Sequence, residues 1–146
     1  CPCEQTDPCE LPKPPEPTDK ITAPIAIGEL VDKITILQIK SENIKDPKKL
    51  NNIHAELDAL INTLDVCVEK SAELDAFTAE LLDINKQLWD IEDDIRDKER
   101  HKRFDRKFIQ LARNVYITND KRCAVKRKIN ELTGSRLLEE KSYAAY

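Results

Sequence analysis

The sequence predicts an all-α protein: an antiparallel helical hairpin or four-helix bundle with a coiled-coil-like seam and an extended Pro-rich N-terminal arm. Three observations carry that expectation. Within Ser71 to Lys98, the residues Leu74, Phe77, Leu81, Ile84, Leu88, Ile91 and Ile95 alternate spacings of three and four, which places them on one face of a long helix. Each such side chain left in water forgoes roughly 1.5–3 kcal/mol of burial, so other helices must cover the seam. Charged residues make up 36% of the chain and aromatics 5%, with Gly28 and Gly134 the only glycines, too few for a turn-rich β fold. Six of the eight prolines lie before Lys20. The 146 residues therefore divide into an arm, 1–20, and one helical domain, 21–146.

The arm, CPCEQTDPCELPKPPEPTDK, has almost no apolar side chains, and its prolines fix φ and withhold N–H groups, so it reads as polyproline-like and flexible. Cys1, Cys3 and Cys9 crowd its tip. They lack the fourth ligand or nearby His of a structural zinc site, and the plainer reading is a local disulfide or free thiols. Ile21, Ala23, Ile25 and Ile27 alternate as in a short edge strand, with Pro24 among them. Such a strand would lie as a strap across the bundle or pair with its copy in another subunit.

From Gly28 the period becomes helical. Leu30, Val31, Ile34, Leu37, Ser41 and Ile44 share a face, Glu29 sits in the first turn, and the helix is expected to end before Asp46-Pro47. Asp46 then caps a second helix with Pro47 at its first position, carrying Leu50, Ile53, Leu57, Leu60, Leu64 and Cys67 at heptad spacing. Cys67 reads as a small core residue. Between Cys67 and Leu74 the rhythm loses phase, and Ser71 is a fair N-cap, so a turn into a hairpin is expected in preference to one continuous helix. The long helix should fray in Arg100–Arg103. Asp105 caps a fourth helix bearing Phe108, Leu111, Ala112, Val115, Cys123 and Ile129, with an interruption suggested at Thr118-Asn119-Asp120 and a stop at Gly134. Leu137 and Leu138 offer the tail a way to lie back on the bundle.

The formal net charge of −4 conceals an asymmetry: residues 97–128 hold twelve Lys or Arg against four acids, a balance of +8 that leaves −12 for the rest. One end is basic and the other acidic. No apolar run approaches the ~20 residues of a spanning helix, so no transmembrane segment is expected. The absence of Met implies processing or trimming, either loss of an initiator before Cys1 or a lipoprotein cut that leaves lipid on Cys1. The expected location is the cytoplasm or a virion, with lipid anchoring through Cys1 as the alternative.

Four blocks, IGELVDKITILQIKSENI (27–44), LWDIEDDIRDKE (88–99), FIQLARNVYITNDKR (108–122) and GSRLLEEKSY (134–143), resemble domain-of-unknown-function family 6165, short helical proteins of bacteria and tailed phages. The likeness runs from about Ile21 to Tyr143 and leaves out the arm. It implies an accessory role near surface-polysaccharide glycosyltransferases without establishing a chemistry. It also singles out polar residues that periodicity alone assigns to the surface: Glu29, Asp32 and Lys33; Asp90, Glu92, Asp93 and Arg96; Arg113, Tyr116, Asn119, Asp120 and Arg122; Glu139, Glu140 and Lys141.

Two glycines cannot build a P-loop or a dinucleotide fingerprint, His54 and His101 stand in no zinc-hydrolase setting, and no G-x-S-x-G supplies a nucleophile elbow. One enzymatic arrangement survives: Glu29 and Asp32 facing Glu92 and Asp93, carboxylates able to hold Mg²⁺ as in all-α nucleotide pyrophosphohydrolases. Against it, Glu92–Arg96 and Asp94–Lys98 have the spacing of simple helix ion pairs. The basic segment 97–128 invites a reading as a binder of phosphorylated ligands or nucleic acid, with Arg96, Arg113, Arg122, Lys126 and Arg127 as anion-binding candidates, yet it lacks aromatic interleaving. Trp89, beside the seam, closes a groove edge or stacks a ligand ring. The reading that best fits the whole is a non-enzymatic interaction or scaffolding module without cofactor. Such a module associates with itself or a protein partner through the seam Leu74, Phe77, Leu81, Ile84, Leu88, Ile91 and Ile95, as an accessory to surface-polysaccharide synthesis or a phage assembly component.

Overall fold

The computed structural model describes residues 20–146, and the readings of the arm, including Cys1, Cys3 and Cys9, lie outside them. Four helices follow in order: α1 (Ile27–Asn43), α2 (Pro47–Cys67), α3 (Ala72–Arg100) and α4 (Arg106–Thr133). The caps are those the sequence marks. Asp46 Oδ1 accepts the Lys49 N–H at 3.0 Å, Ser71 Oγ that of Leu74 at 3.1 Å, and Asp105 Oδ1 that of Phe108 at 3.0 Å, satisfying first-turn donors that have no partner inside the helix. The Lys98 ammonium, 2.7 Å from Asp105, and this cap hold the Asp105 carboxyl below its ordinary range. Gly134 ends α4 with φ 66°, ψ 32°, the left-handed region that glycine enters without strain.

Short connections make two antiparallel pairs, α1 with α2 and α3 with α4, and α1 also packs on α3 and α4. The helix in the middle is thus α1, whose Gly28, Leu30, Val31, Asp32, Ile34, Thr35, Leu37 and Ile39 are all buried. The seam of α3 is met inside the chain: Leu74, Leu81 and Ile84 join Val31, Val125 and Ile129 in the core, with Phe77 packed against them, while Leu88, Ile91 and Ile95 are half-buried. Trp89, also half-buried, edges a small groove with Ile39 and Lys86.

Four local expectations are corrected. Residues 20–26 form no strand; Ala26 is extended and Ile27 already belongs to α1, because Ile27 and Gly28 donate their N–H groups to Ser135 and Asn130 as a helix start does. The chain turns between Cys67 and Ala72, but α3 then pairs with α4, and among the described helices α2 packs along α1 alone, burying Ile53 and touching the Val31–Leu81–Ile129 cluster through Leu64 and the following Val68. With no helix on that side, Cys67 is exposed and not a core residue. Finally, α4 runs unbroken through Thr118-Asn119-Asp120: Thr118 is buried there, and tertiary packing overrides its modest helix propensity. Among the described residues no helix is long and apolar enough to cross a membrane.

Candidate functional site

Ala26, the N-cap of α1, has no side chain that can accept a hydrogen bond, and the first donors of α1 are satisfied from α4 instead. Asn130 Oδ1 accepts the Gly28 N–H at 2.7 Å, and Ser135 Oγ accepts that of Ile27 at 3.3 Å. The two helices touch at this point: a Cβ on Gly28 would lie 2.5 Å from the Lys126 carbonyl oxygen. Glycine is required here by close approach, not by its dihedral freedom.

One turn further along, α1 turns Asp32 into the interior, where it is fully buried. A buried carboxylate is costly unless paired and hydrogen-bonded, and each oxygen of Asp32 is provided for. Oδ1 accepts from Arg122 Nε and from Asn85 Nδ2, both at 2.9 Å, and Oδ2 accepts a short bond from the Arg122 Nη2. The guanidinium therefore grips the carboxylate with two parallel bonds, the strong geometry for this pair. Asn85 Nδ2 also donates to Thr35 Oγ1 at 2.9 Å, and Thr35 donates in turn to the Asp32 carbonyl at 2.8 Å. The bond to Asp32 holds the Arg122 guanidinium above its ordinary range against the opposing pull of burial.

Lys126, one turn beyond Arg122, extends the network. Its Nζ donates to Glu29 at 2.6 Å and to Glu139 at 2.9 Å and lies 3.9 Å from Asp32 Oδ2. Burial alone would lower this ammonium's pKa, but the bonds to Glu29 and Glu139 outweigh it and hold the group above its ordinary value. Glu139 is held low by the same Lys126. Next to it Arg127 Nη2 donates to Glu140 at 2.9 Å. The tail after Gly134 is thus drawn back along α4 by charge, while Leu137 and Leu138 stay 44% and 46% exposed. Among the described residues no buried side-chain polar atom lacks a partner.

The returning tail builds a second feature. Tyr143, Tyr146 and Lys141 come against Tyr116, Asn119 and Asp120 of α4 around a cavity of about 530 Å³. The Tyr146 hydroxyl donates to Asp120 Oδ2 at 2.7 Å, which raises its pKa, and its ring meets Tyr116 edge to face at 5.0 Å. Lys141 lies 5.9 Å from the centroid of Tyr143 and beside Cys123, whose bond to it raises the lysine's pKa.

Of the polar residues picked out by resemblance, the structure gathers Glu29, Asp32, Arg122 and Glu139 into the ion network, and Tyr116, Asn119, Asp120 and Lys141 around the cavity. Lys33, Asp90, Asp93, Arg96 and Arg113 are on exposed faces, and Glu92, half-buried, pairs only with Arg96, at 3.1 Å. The four carboxylates of the metal arrangement are not brought together: Glu92 lies seven residues, about 10 Å of helix, beyond the Asn85 that touches Asp32, and Glu29 and Asp32 face cations. Among the described residues no group of three or more His, Cys, Asp or Glu is placed to hold a metal ion. Of the anion-binding candidates, Arg122, Lys126 and Arg127 already hold carboxylates of this chain. Asn85 and Asn130, which complete the buried network, carry no signal in periodicity; only their place on otherwise apolar helix faces could have marked them.

The fold and this network define, over the described residues, an all-α protein of four helices in which ion pairs centred on buried Asp32 and Lys126 join α1, α4 and the tail. The model of the family of unknown function DUF6165 matches residues 21–146, and the chain belongs to that family. In comparisons with curated proteins and with solved structures nothing matched.

Proposed function

We propose that the protein is a non-enzymatic helical interaction module that associates with a second copy of itself through α2. The observation that carries this reading is that, among the described residues, little covers α2. Of its 21 residues only Ile53 is buried, because α1 covers one side alone. Its free side carries Ala55, Ala59, Thr63 and Cys67, four residues apart, with Leu60 beside them and Val66 78% exposed. This face and the segment from Lys20 to Ile27 flank an apolar groove of about 770 Å³. Small side chains at every fourth position let two helices pack closely, ridge into groove.

Charge supports a second copy as the occupant. Residues 45–49 hold three lysines against one acid, and residues 65–73 three acids against one lysine. The first turn of α2 has no acid and the last no base, the reverse of what the helix dipole favours. Two copies related by a two-fold axis perpendicular to α2 run antiparallel, so each basic end meets an acidic end. On the family resemblance, the setting we propose for such a module is accessory to surface-polysaccharide synthesis or phage assembly.

Mixing charge-reversed chains tests the arrangement. Lys48→Glu with Lys49→Glu, and separately Asp65→Lys with Glu69→Lys, should each weaken self-association, and the two variants mixed should form a heterodimer on light scattering. A mixture that behaves as the sum of its parts rules out the antiparallel pairing.

A further inference from the structure

All three tyrosines of the chain converge on a single cavity between α4 and the tail, although the buried hydrophobic residues among those described are all aliphatic. They are not there to fill space: Tyr116, Tyr143 and Tyr146 remain 43%, 79% and 78% exposed. Exposed aromatic rings gathered at a concave site are unusual in a surface without a binding role. The cavity, about 530 Å³, is within the size range of small-ligand sites.

Its lining carries one cation, Lys141, and one acid, Asp120, which already accepts from the Tyr146 hydroxyl at 2.7 Å. Between Arg106 and Asn119 α4 has no acid and adds Arg113. Arg113 is exposed one turn before Tyr116, and so on the same helix face. Lys141 stands at the cavity itself, its ammonium near the ring of Tyr143. Asn119 adds an amide whose NH2 donates and whose Oδ1 already accepts from Arg122 at 3.5 Å, leaving one lone pair, the group that reads the edge of a nucleobase in other settings. The basic segment lacks aromatic interleaving in its own sequence; the fold supplies it by bringing Tyr143 and Tyr146 back onto Tyr116.

We propose that this cavity binds a nucleotide unit, its base stacked on the tyrosines and edged by Asn119, its phosphate on Lys141 and Arg113. The unit is either a free nucleotide or one residue of a single strand, and both offer the same base and phosphate chemistry. This site is independent of the face of α2 and stands or falls apart from it.

Calorimetric titration with adenosine 5′-monophosphate, adenosine, inorganic phosphate and a ten-residue oligodeoxyadenylate tests it. The monophosphate is expected to bind more tightly than adenosine or phosphate alone. Tyr143→Ala is expected to weaken it by roughly 5- to 150-fold, the range of one base–aromatic stack, with an unchanged melting temperature. Lys141→Ala should bring the monophosphate's affinity down to that of adenosine. Tighter, steeply salt-dependent binding of the oligonucleotide assigns the site to a single strand, and affinity equal to the monophosphate's assigns it to a free nucleotide. No binding at millimolar monophosphate, affinity no better than phosphate, or binding unaltered in both Tyr143→Ala and Tyr116→Ala would overturn the proposal.

Discussion

Asn130 caps a helix to which it does not belong: its side-chain oxygen accepts the Gly28 N–H of α1 at 2.7 Å, across 102 positions of sequence. The bond works only because Gly28 lets the α4 backbone come within reach of α1. Asn130→Ala leaves a buried N–H without a partner and should destabilise the fold by about 1–3 kcal/mol. Gly28→Ala drives a methyl into a backbone carbonyl, not into a side chain that can swing away, and about 3 kcal/mol is expected, the upper end for overpacking. Denaturant unfolding of both variants measures this.

The Asp32–Arg122 pair should behave as a buried charge pair does. Arg122→Met strands the carboxylate of Asp32 and is expected to cost about 3–5 kcal/mol, whereas Asp32→Leu with Arg122→Met removes both charges and should recover much of that loss. A double-mutant cycle on chemical denaturation gives the coupling. Additive single effects would show that the two side chains do not depend on each other.

Acid should release the tail before it unfolds the helices. Glu139 has its pKa lowered below the ordinary 4.5 by Lys126, so its contribution to stability is complete above that value and is lost as pH falls through the depressed one. The side-chain and backbone NMR shifts of residues 136–141 should therefore move to those of a free chain below about pH 4.5 while the amides of α3 and α4 stay protected from exchange. Glu139→Gln should show the free-chain shifts already at pH 7.

Much of the helical plan is legible in the sequence because its signals are local. Asp46, Ser71, Asp105 and Gly134 act within four residues of themselves, and the alternation from Leu74 to Ile95 needs no knowledge of what covers it. The partners of each face are not local. That α3 pairs with α4 depends on which apolar stripes fit, and periodicity treats α2 and α4 alike, so Cys67 reads as core although no helix covers it. Asp32 has the pattern of a surface acid; its burial is set by Arg122, 90 positions away. The tail defeats pattern reading most fully, since Glu139 and Glu140 hold it through Lys126 and Arg127 while its leucines remain half in water. The carboxylates Glu92 and Asp93 fit the spacing of a metal site, yet the rotation of α3 presents Asn85 to Asp32 instead.

Self-association through α2 is tested most directly by sedimentation velocity of the chain from micromolar to several hundred micromolar, beside an Ala59→Arg variant. Ala59 is exposed, so the arginine should leave monomer stability within about 0.5 kcal/mol. The expected result is a concentration-dependent species of twice the 16.8 kDa chain mass for the unaltered protein and a monomer throughout for the variant. A monomer at every concentration in both, or a dimer that Ala59→Arg leaves intact, would contradict the account.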